Sequence, residues 1–286
     1  MTVAIVTDST SDIEPEKAKV QGITVVPLFV IFGDRGYKDY VELSRAEFYR
    51  RLQDEPVLPM TSQPTAAMYE EAFAPLVEAG EDVLCITISS HLSGTMNAAR
   101  AGAQRFPDAR IEIYDSQTVA AGLGMMVLRA RELAASGSSI SDIVAELDEW
   151  RRRERLYACL PDLSHLQRTG RIGRAKAALG TLMKIVPVLS LKDGQVAAEA
   201  QVRTFSRAQE TMLDLVLAAT PRPATARLVV MHTNAPGLAE KTAARLRERL
   251  GGVAPRMLEI WEAGPVIATH GGPGAVGIFV APDAGA

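Results

Sequence analysis

The sequence predicts an α/β protein: a parallel-sheet N-terminal domain followed by a second, mixed α/β domain. Three observations carry this reading. Short apolar runs alternate with longer helix-patterned segments up to about residue 153, the order that builds a parallel sheet with crossover helices. Beyond that point two β-like runs flank Lys192-Asp193-Gly194, and Asp-Gly between such runs closes a hairpin. The chain is 286 residues long and 47% apolar, enough for two domains with a core each. The domains are drawn at 1–153 and 154–286.

Residues 3–6, Val-Ala-Ile-Val, are the first strand and run into Thr7-Asp8-Ser9-Thr10-Ser11-Asp12. Ser11 and Glu14 fit a capping box and Pro15 suits a first turn, so 14–20 is a helix that Gly22 ends. Residues 24–32 read as one buried strand and 33–42 as a polar loop. Ser44 opens a helix to about Asp54, residues 55–60 are a proline-punctuated connector, and 65–79 is a helix stopped by Gly80. Strand 83–88, helix 93–104, strand 111–114, a helix ending near Gly137 and an amphipathic helix over 141–155 follow. The second domain reads as strand 156–160, short helix 162–166, hairpin 185–191 with 195–200, and helix 207–218. Strand 227–231 and helix 236–250 come next, then strands 266–269 and 275–280 around a Gly-Gly-Pro-Gly turn. The tail 283–286 reads as disordered, and no internal repeat is present.

Gross properties exclude several classes. A net charge of −3, from 31 basic and 34 acidic residues, argues against a general nucleic-acid binder. The longest apolar run, 25–32, contains Pro27 and is far too short to span a bilayer. No basic region followed by a long apolar stretch marks a signal peptide. Cys85 and Cys159 lie inside apolar runs and read as small buried hydrophobes, which suits a reducing cytoplasm. His91, His165 and His232 lack partners at helical spacing, so a zinc site is not expected. There is no phosphate-binding nucleotide loop, and Gly122-Leu123-Gly124 lacks the third glycine of a dinucleotide fingerprint. There is no Gly-x-Ser-x-Gly elbow either.

What remains is a set of hydroxyl-rich turns. Ser93-Gly94-Thr95 opens a helix after the run Ser89-Ser90-His91-Leu92. A helix N-terminus presents unpaired N–H groups and suits an anion, and Gly94 would let a ligand approach the backbone. Thr61-Ser62-Gln63-Pro64-Thr65 sets two hydroxyls before another helix, with Gln63 extended because it precedes proline. Each serine or threonine can equally be a helix cap. Asp8, at the end of the first strand, can bind a ligand hydroxyl, orient another side chain or cap the first helix. His270, in His-Gly-Gly-Pro-Gly, can donate to an anion as imidazole or imidazolium, or be structural. Arg171, in Arg-Thr-Gly-Arg-Ile-Gly, and Arg203, before Thr204, suit phosphate recognition or a solvated surface.

Together the segments 7–12, 61–65, 89–95 and 270–274, with 168–172, resemble the DegV family, in order and over nearly the whole chain. The resemblance implies a two-domain α/β protein that buries one long-chain fatty acid between its domains. It implies that such bacterial proteins are lipid-binding subunits of fatty acid kinase with no ATP site of their own. A separate ATP-binding fatty acid kinase protein phosphorylates the held carboxylate, and a downstream acyltransferase takes the acyl-phosphate into phospholipid synthesis. By motif position Thr61 and Ser93 hydrogen-bond the carboxylate, while Ser62, the Gly94 backbone and His270 complete its surroundings. Arg171 and Arg203 fall where the family carries basic residues near the carboxylate or the kinase face. No catalytic residue, metal or cofactor is implied; the fatty acid is the ligand. Candidate tunnel walls are 25–32, 123–127 and 175–186. Two alternatives differ in class: a stand-alone serine hydrolase or acyltransferase using Ser93, and a lipid sensor without a kinase partner.

Overall fold

A computed structural model describes residues 2–55, 57–176, 185–220 and 222–282. The tail 283–286 and most of the candidate wall 175–186 lie outside the described residues. The chain divides into two units: Met1–Arg151 with Gly264–Val266, and Arg152–Ala263 with Ile267–Ala286.

The first unit grows from β1 (Val3–Asp8), whose residues are buried at almost every position. That is the pattern of a central strand covered on both faces. β2 (Ile23–Val26), β6 (Asp82–Thr87) and β7 (Ile111–Asp115) complete a four-stranded sheet of order β2-β1-β6-β7. All three pairings are parallel, with Val6 beside Thr24 on one side and Cys85 on the other. The strand order reverses between β1 and β6, the place where open α/β sheets hold ligands. Helices α3 (Ala66–Glu78) and α4 (Thr95–Ala103) pack on this sheet. Tyr69, Phe73, Ala98 and Ala99 form a core there with Val6, Val26, Val83 and Cys85. Helix α5 (Ala121–Ala135) carries Leu123, Met125, Met126 and Val127, all fully buried.

Three expectations need correction here. The run 24–32 is not one strand. Pro27 has no N–H to give a ladder, and the chain breaks there into β2 and β3 (Phe29–Phe32), which enter different sheets. The polar stretch 33–42 contains β4 (Arg35–Lys38), joined to β3 by Gly33-Asp34, with Gly33 at φ +57° as a tight hairpin loop requires. The connector 55–60 ends in β5 (Met60–Ser62), which pairs antiparallel with β3. The third sheet is therefore β4-β3-β5.

In the second unit, β8 (Arg155–Cys159), β9 (Val186–Lys192), β10 (Gln195–Val202), β11 (Ala226–His232), β12 (Met257–Glu262) and β13 (Val276–Pro282) form a sheet. Its order is β10-β9-β8-β13-β11-β12, with β11 and β12 parallel and the other pairs antiparallel. Asp193 and Gly194 turn the β9–β10 hairpin at φ +48° and +74°, as their sequence predicts. A core of Tyr157, Cys159, Val188, Leu228, Val230 and Ile278 packs with Met212, Leu213 and Val216 of the helix Phe205–Ala218. Ala239, Ala243 and Leu246, from the helix Pro236–Arg249, join the same core. Sequence reading passed over β12, an edge strand only partly buried.

The predicted strand 266–269 is instead part of a helix, Pro265–Gly271. Pro265 fixes φ for a first helical turn, which overrides the β-branched character of Val266, Ile267 and Thr269. Among the described residues no helix is long and apolar enough to cross a membrane.

Helices α3 and α4 meet closely at Gly102. A methyl group there would lie 2.7 Å from Tyr69 Cβ and 2.8 Å from the Ala66 carbonyl oxygen, neither free to move away. Gly102→Ala is expected to destabilise the protein by about 1–3 kcal/mol through overpacking. An unchanged denaturant midpoint for this variant contradicts the packing described.

Candidate functional site

The segment after β1 is buried over its whole length, Thr7 to Asp12. Thr7 Oγ1 donates to the Ile86 carbonyl at 2.8 Å. Asp8 caps the 3-10 turn Ser9–Ser11, accepting from Thr10 N at 3.0 Å and Thr10 Oγ1 at 2.5 Å. Its other oxygen accepts from Ile88 N at 2.8 Å, across the switch point. Ser9 Oγ accepts from Leu28 N at 3.1 Å, and the Thr10 carbonyl from Ala120 N at 2.8 Å. Asp12, at φ 53°, accepts from Gly264 N at 2.9 Å and from the Tyr40 hydroxyl at 3.3 Å. The Tyr40 ring fills the space where a side chain on Gly264 would stand, 2.6 Å away. The most hydroxyl-rich of the motifs is thus a joint inside the unit, in which Thr7, Asp8, Ser9 and Thr10 bond to protein partners.

Burial dominates the electrostatics of this joint. It pushes Asp8 up to about 6 despite the bonds from Thr10 and Ile88. It pushes Asp12 up to about 7, opposed by the Gly264 N–H, the Arg45 charge and Tyr40, and reinforced by Glu14. Asp39 is held well above the ordinary carboxylate value by burial first, with Asp12 adding to the effect.

The loop after β6 is set by the same logic. Ser89 N donates to the Thr118 carbonyl at 3.0 Å, and His91 N to Ser89 Oγ at 3.3 Å. Ser90 binds the Asp115 carboxylate through its amide at 3.1 Å and its hydroxyl at 2.5 Å. Two of the hydroxyls in this run therefore build the loop. The other two, Ser93 Oγ and Thr95 Oγ1, lie 2.8 Å apart at the start of α4. Within its own unit Ser93 has no imidazole among its hydrogen-bond partners in the described residues.

Gly94 caps α4 at φ −77° and ψ 9°, a conformation open to any residue. What stands beside it is the tip of an exposed side chain. A methyl group on Gly94 would overlap Gln63 Oε1 and lie 2.8 Å from its Cδ and 3.0 Å from its Nε2. The neighbour seated on Gly94 is the Gln63 amide, and this contact brings the 61–65 segment onto the first turn of α4. Thr61 and Ser62 end β5, with Thr61 opposite Val30. Thr65 caps α3, accepting from Met68 N at 3.3 Å. Thr61, Ser62, Ser93 and Gly94 thus sit on two segments that meet at Gln63 and Gly94, a contact that sequence reading missed.

In the second unit, His270 Nδ1 lies 2.8 Å from Thr169 Oγ1, and Thr169 Oγ1 donates to the His165 carbonyl at 2.8 Å. Thr169 has one hydroxyl proton for the His165 carbonyl, the more distant Leu166 carbonyl at 3.5 Å and the His270 ring nitrogen. Directed at His165, it leaves the His270 ring proton on Nδ1 and Nε2 an acceptor. Directed at His270, it places the proton on Nε2 and makes that atom a donor. The orientation of the Thr169 hydroxyl and the tautomer of His270 are therefore linked. Burial, followed by Arg171, Arg168 and His165, pushes His270 down to about 3, so the neutral ring is the form present at physiological pH.

The loop beyond His270 is fixed. The Gly272 carbonyl accepts from Thr233 Oγ1 at 2.6 Å, which in turn accepts from Ala275 N at 2.9 Å. Gly272, at φ +69°, also packs on the His165 ring. Arg171 is half-buried and donates to the Thr169 carbonyl at 2.6 Å. Arg203 is exposed, one residue before Thr204, the cap of the helix Phe205–Ala218. Both cysteines are buried and free.

Two expectations follow. Because Asp12 binds its proton more tightly folded than unfolded, its contribution to stability is fully present below the ordinary value of 3.8 and is lost as pH rises through about 7. The whole effect is as much as about 4 kcal/mol, and Asp12→Asn should remove its share from the stability-versus-pH curve; an unaltered curve contradicts the assignment. His270 should show no titration of its ring nuclei by NMR from pH 8 to about 5, with the neutral form throughout; a midpoint near 6.5 overturns it.

The chain matches the family model described as uncharacterised protein, DegV family, over residues 2–283. A DegV domain-containing protein of Deinococcus radiodurans is 37% identical over 282 residues, covering 99% of each chain. Among solved structures, one described as fatty acid binding of a DegV family protein from Thermus thermophilus is 35% identical. It covers 99% of this chain and 100% of its own, with a TM-score of 0.89. DegV of Bacillus subtilis, described as a fatty acid binding protein, is 32% identical with the same coverage and TM-score. The α/β fold, the hydroxyl-bearing segments 61–65 and 89–95 and these matches over the whole length agree: the chain belongs to the DegV family.

Proposed function

We propose that this protein binds one long-chain fatty acid and presents its carboxylate to a separate ATP-dependent kinase protein for acyl-phosphate formation. The observation that carries the reading is the first turn of α4. There the Ser93–Thr95 hydroxyl pair and Gly94 meet the 61–65 segment through Gln63. This is an anion site made of neutral donors and a helix N-terminus, which favours a carboxylate without burying a counter-charge. The fatty acid binding described for the relatives from Thermus thermophilus and Bacillus subtilis supports the same ligand class.

In this reading Thr61, Ser62, Ser93 and Gly94 hold the carboxylate, and His270 is assigned to it by motif position. Arg171 and Arg203 serve the phosphoryl-transfer step or the kinase face. Transfer develops charge that fixed donors stabilise, which is the work an arginine fork suits. A sixteen-carbon tail contributes about 11 kcal/mol gross, at about 0.8 kcal/mol per buried CH₂, less the costs of association. Each hydrogen bond to the charged head adds about 1.5–3 kcal/mol. The tail sets affinity, and the head group sets which end is offered. The proposed setting is the bacterial cytoplasm, with an acyltransferase consuming the product.

Organic extraction of the purified protein followed by mass spectrometry should recover a fatty acid in near-stoichiometric amount. Protein that is empty and takes up neither palmitate nor oleate refutes the reading. With a cognate kinase, Ser93→Ala and Thr61→Ala should lower acyl-phosphate formation more than lipid content. Wild-type turnover in both variants removes these residues from the site.

A further inference from the structure

We propose that Gln63 is the head-group-discriminating residue of the anion site: its neutral amide, seated on the Cα of Gly94, lets the first turn of α4 accept a carboxylate. The inference rests on the fatty-acid reading above and deepens it. Its basis is the fit already described, in which the space a side chain on Gly94 would take is filled by Oε1, Cδ and Nε2 of Gln63. Gly94 has no conformational need to be glycine, and the absence of a side chain there gives the exposed Gln63 amide its place beside the first turn of α4.

Chemistry explains why glutamine suits the place. α4 has nine residues and begins at Thr95 with Gly94 as its cap, so its first N–H groups point to this end. Beside them the Ser93 and Thr95 hydroxyls share one hydrogen bond, which leaves one of their two protons for another acceptor. Gln63 adds two N–H donors and no charge. A glutamate of the same shape would bring an anion to the same helix end and compete with the ligand's own carboxylate. The backbone supports this placement: Gln63 lies between β5, which pairs with β3, and Pro64, which precedes the capped start of α3. An extended residue before proline holds its side chain's origin fixed.

The test uses the full-length protein with two probes of equal chain length, palmitate and hexadecanol, measured by displacement of a fluorescent fatty acid. Gln63→Glu should weaken palmitate by at least roughly tenfold at pH 8 through like-charge repulsion while leaving hexadecanol within about twofold, since the tail supplies most of the affinity. Lowering the pH towards 5 should restore palmitate to Gln63→Glu relative to wild type measured at the same pH. Gly94→Ala, whose methyl displaces the amide, should behave like Gln63→Ala and lose palmitate preference without reversal at low pH. If Gln63→Glu keeps wild-type palmitate affinity, or loses both probes in parallel, the proposal is overturned. If wild-type protein binds neither probe, the fatty-acid reading fails first and the proposal falls with it.

Discussion

The Asp8 carboxylate is the interaction on which the first unit depends. It stands where the strand order reverses, between β1 and β6, and binds both sides of that gap: Thr10 in its own turn and the Ile88 amide across it. In many open α/β sheets a ligand fills this position. Here a protein carboxyl group fills it. The rest of the segment extends the joint, with Thr7 tied to Ile86, Ser9 to Leu28, Thr10 to Ala120, and Asp12 to Gly264 and Tyr40. Five of these six residues so reach five other places in the chain: the end of β6 with Ile88, Leu28, Tyr40, Ala120 and Gly264. Burial is the reason such polar groups need partners at all, since an unpaired one is expensive to bury.

The consequence is that the hydroxyl pair at the start of α4 stands one loop further out. With Ile88 held, the loop it begins is braced by Ser89 and by the Ser90–Asp115 pair, and α4 starts in a defined place. The hydroxyls nearest the strand ends build the scaffold, and those one turn further on, Ser93 and Thr95, are the pair beside the helix end. Gly102 lets α3 and α4 run close together at their far side, and the Gln63–Gly94 contact closes them at the near side. Two small residues on one helix thus decide how the two motif-bearing segments meet.

The second unit solves a comparable problem with different means. The tautomer of His270 is linked to the Thr169 hydroxyl, and the turn beyond His270 depends on Thr233 and on the packing of Gly272 against His165. Burial and the neighbouring Arg171 and Arg168 keep the imidazole uncharged. A neutral imidazole that changes between donor and acceptor with a hydroxyl's rotation is a different device from a fixed positive charge.

Much of the fold is legible in the sequence because it is written locally. The alternation of apolar runs with capped helical segments is a short-range pattern, and so is Asp193-Gly194, whose positive φ angles follow from two adjacent residues. The break at Pro27 was legible too, as a missing N–H, but the apolar run around it concealed it. The strand read at 266–269 failed for the opposite reason: β-branched residues indicate a strand, and the proline before them started a helix. The motif segments 61–65, 89–95 and 270–274 could be picked out by composition. The sequence by itself determined the α/β class, the parallel order of the first sheet's elements and which segments carry the hydroxyls, because these rest on periodicity and on neighbours a few residues apart. Only the tertiary structure decided which hydroxyls face protein. It alone put Gln63 on Gly94, Asp8 on Ile88 and Thr169 on His270, because each of these is a contact between residues from 31 to 101 positions apart, and no local pattern records them.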